Sequence, residues 1–165
     1  PLPDNKASAL NARISPVSEA FKKNTGEELT LVLSEDEINY HLNQKIPEEE
    51  RGSYGFEIRM DGKISDLKLT GPLTKDKTSF LNIHARGEFG IREDEVKINL
   101  ELLEIGPTVI SEELRKEISS QLKDQFLPQN QDFKEILKRV REMSIENSLL
   151  HLRLKAIRWE RRLER

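Results

Sequence analysis

The sequence predicts an α+β fold in which a curved antiparallel meander sheet packs on helices or wraps around them. Residues 53–105 alternate between apolar and polar side chains in four successive runs, which is typical of strands with one buried face. The flanking segments repeat apolar residues every three or four positions, which indicates amphipathic helices. Because a chain of 165 residues favours one domain, we expect a single domain over residues 1–157 and an Arg-rich tail over residues 158–165.

The first hairpin of the meander begins with an apolar alternation over residues 54–60. Asp61 and Gly62 follow directly, and an Asp-Gly pair between alternating runs is a strong signal for a two-residue hairpin turn. The return strand changes its apolar phase between Ile64 and Leu67, which predicts a β-bulge between these residues. The Gly-Pro pair that comes next ends this strand, because proline cannot donate to the ladder.

The second hairpin is longer, because residues 81–91 alternate without interruption. Gly87 and Gly90 lie inside this run, where glycine marks a bend or a close approach by a ligand or another backbone. We expect simple curvature of the sheet at both positions. A charged turn over residues 92–95 and a fourth strand, with clean alternation over residues 96–102, complete the meander.

The N-terminal segment predicts a helix over residues 5–25. Pro16 is expected to restart or kink this helix, and Gly26 to end it. A short strand follows, and then Ser34 and Glu37 have the spacing of a capping box, in which each side chain bonds the backbone N–H of the other residue. A second helix is therefore predicted directly after the first strand.

The sheet and the remaining helices are expected within residues 28–157. Ser111 precedes a stripe of apolar residues four positions apart, which predicts a helix capped by the serine and stopped by Pro128. A third helix is expected to begin at Asp132 and to direct Val140 inward. A last alternating strand closes the domain.

Composition excludes several classes of protein. The 27 basic and 30 acidic residues give a net charge of −3, which does not favour a nucleic-acid-binding protein. The chain has no cysteine, so disulfides and thiolate chemistry are excluded. No apolar run approaches the roughly 18–20 residues of a membrane-spanning helix. The chain starts at Pro1 without an initiator methionine, and we expect that a signal or anchor preceded it.

The three histidines are the natural place to look for chemistry. His41 lies in a predicted helix, whereas His84 and His151 lie on the polar phase of separate strands. If these strands were neighbours, the two rings would meet across the sheet, which is the best argument for an enzyme. However, the sequence contains no zinc-ligand spacing, no nucleophile elbow and no phosphate-binding loop. We therefore predict ordinary surface histidines and a protein without catalytic residues, bound metal or cofactor.

Three segments carry a resemblance to a known family. Residues 34–39 read SEDEIN at a helix start, residues 100–107 read LELLEIGP where a strand leads into a helix, and residues 147–156 close the chain with alternating leucines. Over residues 29–156 the chain resembles the YpmS-type and LmeA-type bacterial envelope proteins, which are TULIP-like. Residues 129–143 and the Arg-rich tail lie outside the pattern of that family.

The resemblance implies an N-terminal membrane anchor, a curved sheet wrapped around a helix, and a lipid or other apolar ligand. It also implies an extracytoplasmic or membrane-associated location, with a cytoplasmic location as the alternative. The family offers no catalytic residues to carry over to this chain.

Two functions remain open from the sequence. The first is a non-enzymatic binding protein that holds a lipid, such as an acyl chain, or another apolar ligand between sheet and helices. The second is a structural or partner-binding domain with a fully packed core, no small-molecule ligand and an unknown protein partner. The apolar residues fit a core and a groove equally well. The residues expected to line a groove are Phe56, Ile58, Ile83, Phe89, Leu100, Leu114, Ile118 and Leu122.

The Arg-rich tail at residues 158–165 also allows two interpretations. Trp159 lies among its basic residues, and a basic stretch with an aromatic side chain favours contact with anionic lipid at a membrane surface. The other interpretation is a solvated, solubilising end, which is typical of charge runs.

Overall fold

The computed structural model describes residues 3–73, 78–93 and 95–157, without the side chains of Phe126 and Pro128. The fold is α+β, with one curved antiparallel sheet, as predicted. The elements in chain order are α1 (Asp4–Lys23), β1 (Glu28–Ser34), α2 (Glu35–Gln44), a 3₁₀ turn (Glu48–Glu50), β2 (Gly55–Asp61), β3 (Ile64–Pro72), β4 (Phe80–Arg92), β5 (Glu95–Ile105), β6 (Thr108–Val109), α3 (Glu112–Gln121), a π-helical turn (Leu122–Phe126), α4 (Leu127–Gln129), α5 (Gln131–Leu137), β7 (Val140–Glu146) and β8 (Leu149–Lys155).

The long strand β4 is the centre of the sheet. The strand order is β1-β8-β7-β4-β3-β2, and β5 pairs with the opposite edge of β4 and carries β6. On the first edge, β3 pairs with residues 80–87 of β4, and β7 pairs only with Ile91 and Arg92. The predicted meander is therefore β2 to β5, and the strands β7, β8 and β1 extend the sheet from the far end of β4.

One face of the sheet is apolar across all of these strands. The register places Phe56 opposite Leu69, Leu69 opposite Ile83, and Ile83 opposite Ile105, so these side chains share a face. Helix α2 packs on this face, where Ile38 joins a buried cluster with residues of β2 and β7. Helix α3 packs on β5.

On its outer edge, β2 pairs with side chains of α2 instead of with another strand. The Asn39 amide donates to the Ile58 carbonyl oxygen and accepts from the Ile58 N–H, both at 2.8 Å. Asn43 donates to the Phe56 carbonyl oxygen at 3.0 Å, and a Glu35 carboxylate oxygen accepts from the Met60 N–H at 2.9 Å. Positions 35, 39 and 43 are each four apart and so lie on one side of the helix. This row of polar side chains satisfies the backbone of β2.

The opposite edge strand, β1, is covered from α1. Arg13 of α1 donates to the Val32 carbonyl oxygen at 2.8 Å and forms an ion pair with Glu37 of α2. Because α2 contacts both β1 and β2, the sheet curves around this helix, and these two edge strands both lie against it. The edges formed by β1 and β2 are thus protected from pairing with another chain.

The capping box predicted for α2 is confirmed, because Ser34 and Glu37 each bond the backbone N–H of the other residue. The helix predicted over residues 5–25 is also present, but Pro16 does not restart it. The helix ends before Gly26, at Asn24, which adopts the left-handed conformation with φ 56°. Asparagine tolerates this conformation at a helix end, although glycine is the commoner residue there.

The β-bulge predicted between Ile64 and Leu67 is wrong, since β2 and β3 pair in uninterrupted register. The apolar phase changes because a serine occupies the apolar face: Ser65 is only 1% exposed, and its hydroxyl donates to the Gly87 carbonyl oxygen at 3.4 Å. The sheet contains register shifts elsewhere: one lies between Arg86 and Gly87, where β4 pairs with β5, and one between Val140 and Glu142, where β7 pairs with β8. The alternation of apolar and polar side chains predicted over residues 96–102 of β5 is therefore interrupted.

Two boundaries near the C-terminus also differ from the prediction. Pro128 does not stop the helix that Ser111 caps: α3 ends earlier, at Gln121, and Pro128 lies inside α4, which follows the π-helical turn directly. The third helix is capped by Asn130, one position before α5 begins, and ends at Leu137. Val140 therefore starts β7 and is not part of that helix.

A buried ion pair fixes the junction of α5 and β7. The side chains of Glu135 and Arg139 are each 8% exposed and are 3.0 Å apart, and Arg139 also donates to the Ile157 carbonyl oxygen at 2.9 Å. Lys138 donates to the other Glu135 oxygen at 2.6 Å. The hydrogen bonds from Lys138 and Arg139 lower the pKa of Glu135 below its ordinary value.

Replacing Glu135 with glutamine is expected to destabilise the protein at pH 7 and to matter progressively less in acid. A carboxylate with a lowered pKa stabilises the fold above the unfolded pKa of about 4.3, and this stabilisation is lost as the pH falls through the folded pKa. Urea unfolding at pH 7 and pH 3 measures the difference between wild type and E135Q. The exposed Glu49→Gln variant is the control, and equal pH slopes for both variants would contradict the assignment.

Candidate apolar ligand site

The structure divides the expected groove residues among different places. Phe56 and Ile58 pack in the cluster around Ile38 of α2, and Ile58 is 7% exposed, so both belong to the core. Ile118 and Leu122 line a cavity of about 400 Å³ along the helical segment after β6. The one groove expected from the sequence is thus not a single continuous site.

Of the other four expected residues, two line cavities of the sheet and two are half-buried or exposed. Ile83 lines a cavity at the end of the sheet near α2, and Phe89 lines a second cavity farther along β4. Leu100 is half-buried on β5, and Leu114 is 43% exposed on α3. Ile83 is therefore the only one of the eight that lines the groove described next.

The cavity at the end of the sheet, which we call the distal groove, has a volume of about 530 Å³. Its floor is formed by the apolar face of β3 and β4, at Leu69, Leu81 and Ile83. One wall is formed where the chain leaves α2, at Ile46 and Pro47. No residue of α2, which ends at Gln44, lines this groove, so α2 does not cover this part of the apolar face.

The distal groove exposes apolar surface to solvent. Leu73 at its rim is 61% exposed, Leu69 is 43% exposed and Tyr54 is 41% exposed. Lys45 and Glu50 are the charged side chains that line it. Exposed apolar side chains that line a cavity are typical of ligand grooves and interaction sites.

Sequence reasoning missed most residues of the distal groove. Ile46 and Leu73 lie outside regular elements, and each is adjacent to a proline in the sequence. An apolar residue beside a proline at the end of an element has no partner within that element. That signal was present in the sequence, whereas the open floor at Leu69 depends on the length of α2 relative to β3.

The polar face of the sheet carries an acidic-histidine cluster. His84 lies between Asp66 and Glu104, whose carboxylate oxygens are 2.8 Å from its Nε2 and Nδ1 respectively. The carboxylates approach opposite sides of the ring, so the three groups do not converge on one point. Among the described residues, no group of three or more such side chains is arranged to hold a metal ion. His151 lies on β8, which β7 separates from β4, so the two strand histidines are not neighbours.

Two membrane features are in question, a spanning helix and the Arg-rich tail, and the structure describes only the residues relevant to the first. Each helix of the described segments is too short or too polar to span a bilayer. The Arg-rich tail at residues 158–165 lies outside the described residues. Comparisons of the chain with protein-family models, with curated proteins and with solved structures found no match.

Proposed function

We propose that this protein is a non-enzymatic binding protein that holds the acyl chain of a lipid, or another apolar ligand, in the distal groove. The observation that carries the proposal is the combination of a volume of about 530 Å³ with the exposed side chains of Tyr54, Leu69 and Leu73. Ligand pockets have volumes of roughly 300–1,000 Å³ and are lined mainly by apolar side chains. A ligand that covers these residues gains about 25 cal/mol for each Å² of apolar surface removed from water.

The ligand expected for the distal groove is a chain rather than a charged molecule. Lys45 and Glu50 carry opposite charges, and the remaining lining is neutral. The groove is also open at the end of the sheet, so part of a long ligand would remain in solvent. These properties support an acyl chain whose polar head stays outside the groove.

The proposal extends to location, as the resemblance to bacterial envelope proteins implies. An extracytoplasmic or membrane-associated protein would take its ligand from a lipid surface. Contact between the Arg-rich tail and that surface is part of this proposal.

A second function is favoured by a separate observation. Three apolar side chains are exposed on neighbouring elements: Ile105 of β5 (39%), Val109 of β6 (61%) and Leu114 of α3 (43%). Both β6 and α3 contact β5. None of the three lines the distal groove. This surface supports the alternative of a partner-binding domain without a small-molecule ligand.

Matched double variants distinguish the two functions. In the L69Q/L73Q variant the distal groove loses two apolar side chains, whereas L114Q/V109Q removes two side chains with the same exposures, 43% and 61%, outside it. We expect native mass spectrometry to detect bound palmitate on wild type and on L114Q/V109Q. Binding to L69Q/L73Q is expected to fall at least roughly tenfold. Circular dichroism checks that both variants fold.

A clean ligand-free mass for the wild type, with no gain in melting temperature on addition of lipids, would remove the lipid-binding proposal. Equal loss of palmitate binding in both double variants would show that the distal groove is not the site. In either case the surface around Val109 and Leu114 becomes the first candidate for function.

A further inference from the structure

Another cavity adjoins the distal groove and lies along α2. It has a volume of about 430 Å³, and we call it the helix cleft. Ile46 and Tyr54 line both the helix cleft and the distal groove, so the two cavities meet at these side chains. A ligand that fills the distal groove can therefore extend past Tyr54 into the helix cleft.

The boundary between the two cavities is held by hydrogen bonds of the segment after α2. The Tyr54 N–H donates to the Glu50 carbonyl oxygen at 3.0 Å, and Arg51 Nε donates to the Ile46 carbonyl oxygen at 3.3 Å. A Cβ atom on Gly71 of β3 would lie 3.4 Å from Tyr54 Cδ1, so the aromatic ring lies against the backbone of β3. Tyr54 is thus fixed between the floor of the distal groove and the helix cleft.

One wall of the helix cleft is a row of polar side chains on α2. Asp36, Tyr40 and Gln44 line the cleft and are each four positions apart, so they lie on one side of the helix. Each follows by one position a member of the row that holds the edge of β2, so the two rows are neighbours. Because a helix rises 1.5 Å per residue, the row is about 12 Å long. Its Gln44 end lies two residues from Ile46, at the boundary with the distal groove.

The helix cleft offers hydrogen-bonding groups without a net charge. The side chains of Tyr40, Gln44 and Tyr54 form no hydrogen bond with any residue that the structure describes. A phenol hydroxyl and an amide each donate and accept hydrogen bonds, as an alcohol does. Among the described residues that line the cleft, the two charged ones, Asp36 and Arg51, have opposite charges. The lining therefore suits hydroxyl groups and does not select an ion.

We infer that the helix cleft binds the head group of the ligand, and that this head is an uncharged group with hydroxyls, as in a monoacylglycerol. The inference rests on the proposed function, because it places the acyl chain in the distal groove. The glycerol hydroxyls pair with the Tyr40 hydroxyl and the Gln44 amide, which have no other partner among the described residues. A charged head gains little here, because attraction to one of Asp36 and Arg51 is offset by repulsion from the other.

The two tyrosines of the chain provide a direct test. Tyr54 lines both cavities, whereas Tyr40 lines the helix cleft and not the distal groove. Protein labelled with 3-fluorotyrosine would give one fluorine NMR signal for each position, assigned with the Tyr40→Phe variant. We expect monopalmitoylglycerol to shift both signals. Methyl palmitate has the same chain and an ester but no hydroxyl, so it is expected to shift only the Tyr54 signal and to bind roughly tenfold more weakly.

Paired variants identify the groups that recognise the head. Y40F/Q44L removes a hydroxyl and an amide from the helix cleft, and we expect it to weaken monopalmitoylglycerol binding roughly tenfold and to leave methyl palmitate binding unchanged. T108V/Q131L removes the same two groups from exposed residues outside both cavities, and it is expected to bind both esters like the wild type. Melting temperatures check that both variants fold.

The outcomes separate this inference from the proposed function. Equal affinity of the wild type for the two esters, a Tyr40 signal that does not move with monopalmitoylglycerol, or unchanged binding by Y40F/Q44L would each overturn the head-group inference. Binding of palmitate and methyl palmitate would still support the acyl-chain proposal. The L69Q/L73Q variant is expected to weaken both esters alike, because both place the same chain in the distal groove. If the wild type binds neither ester nor palmitate, both proposals fail.

Discussion

Replacing Gly87 with alanine is expected to lower the free energy of unfolding by about 3 kcal/mol, the upper part of the range for overpacked cores. A Cβ atom at this position would lie 3.0 Å from the Asn99 carbonyl carbon and 3.1 Å from the Leu100 Cα, and nearer still to the Asn99 carbonyl oxygen. All of these atoms belong to the backbone of β5, so no flexible side chain can move aside. The neighbouring strand, and with it the register of β4 and β5, would have to shift.

Gly55→Ala is the matched control for this prediction. Gly55 also lies in a strand, but a Cβ there would meet the Thr70 Cβ at 3.7 Å, an ordinary contact. We expect a change of less than about 1 kcal/mol, because alanine is compatible with a strand at such a position. Urea unfolding of the two variants measures the difference. Similar stabilities for both would mean that β5 does not approach Gly87 as closely as described.

Replacing Asn39 with leucine is expected to cost about 2–4 kcal/mol of folding free energy, since it leaves two backbone groups without partners. The side-chain amide now pairs with both the N–H and the carbonyl oxygen of Ile58, each at 2.8 Å. Leucine has a similar size and a high helix propensity, so the helix itself is not weakened. The loss therefore reports the contact between α2 and the edge of β2.

Two further substitutions test the origin of that loss. N39D keeps an acceptor for the Ile58 N–H but places a carboxylate against the carbonyl oxygen, so we expect a loss as large as that of N39L or larger at pH 7. Gln44→Leu changes an exposed residue at the end of the same helix and is expected to alter stability by less than about 0.5 kcal/mol. If N39L were as stable as Q44L, the edge of β2 would not depend on this amide.

The meander was predictable because its signals are local. The alternation over residues 81–91 defined β4, and the Ser34–Glu37 spacing defined the start of α2. The misplaced bulge shows the limit of that approach, since a buried serine and a bulge both change the apolar phase of a strand. The uninterrupted register of β2 and β3 and the burial of Ser65 distinguish the two.

The candidate sites were less predictable than the fold. Whether an apolar residue is core or groove depends on which helix lies above it, and helix length relative to strand length is not a local property. Ile58 is therefore covered by α2, whereas Ile83 of the same face lies in the distal groove. The role of Gly87 also requires the position of β5, and it is a close backbone approach rather than the simple curvature expected there.

The pairing of β1 with β8 determines when this chain can finish folding. Their partner residues are more than a hundred positions apart, so the pairing requires closure of a long loop, which is slow and costs entropy. During synthesis, the ribosome releases β8 last among the described strands. Until then Leu33 and Ile38 lack Leu150 as a neighbour, and one edge of β1 is open to other chains. Products truncated before β8 would therefore be the forms of this protein most prone to aggregation.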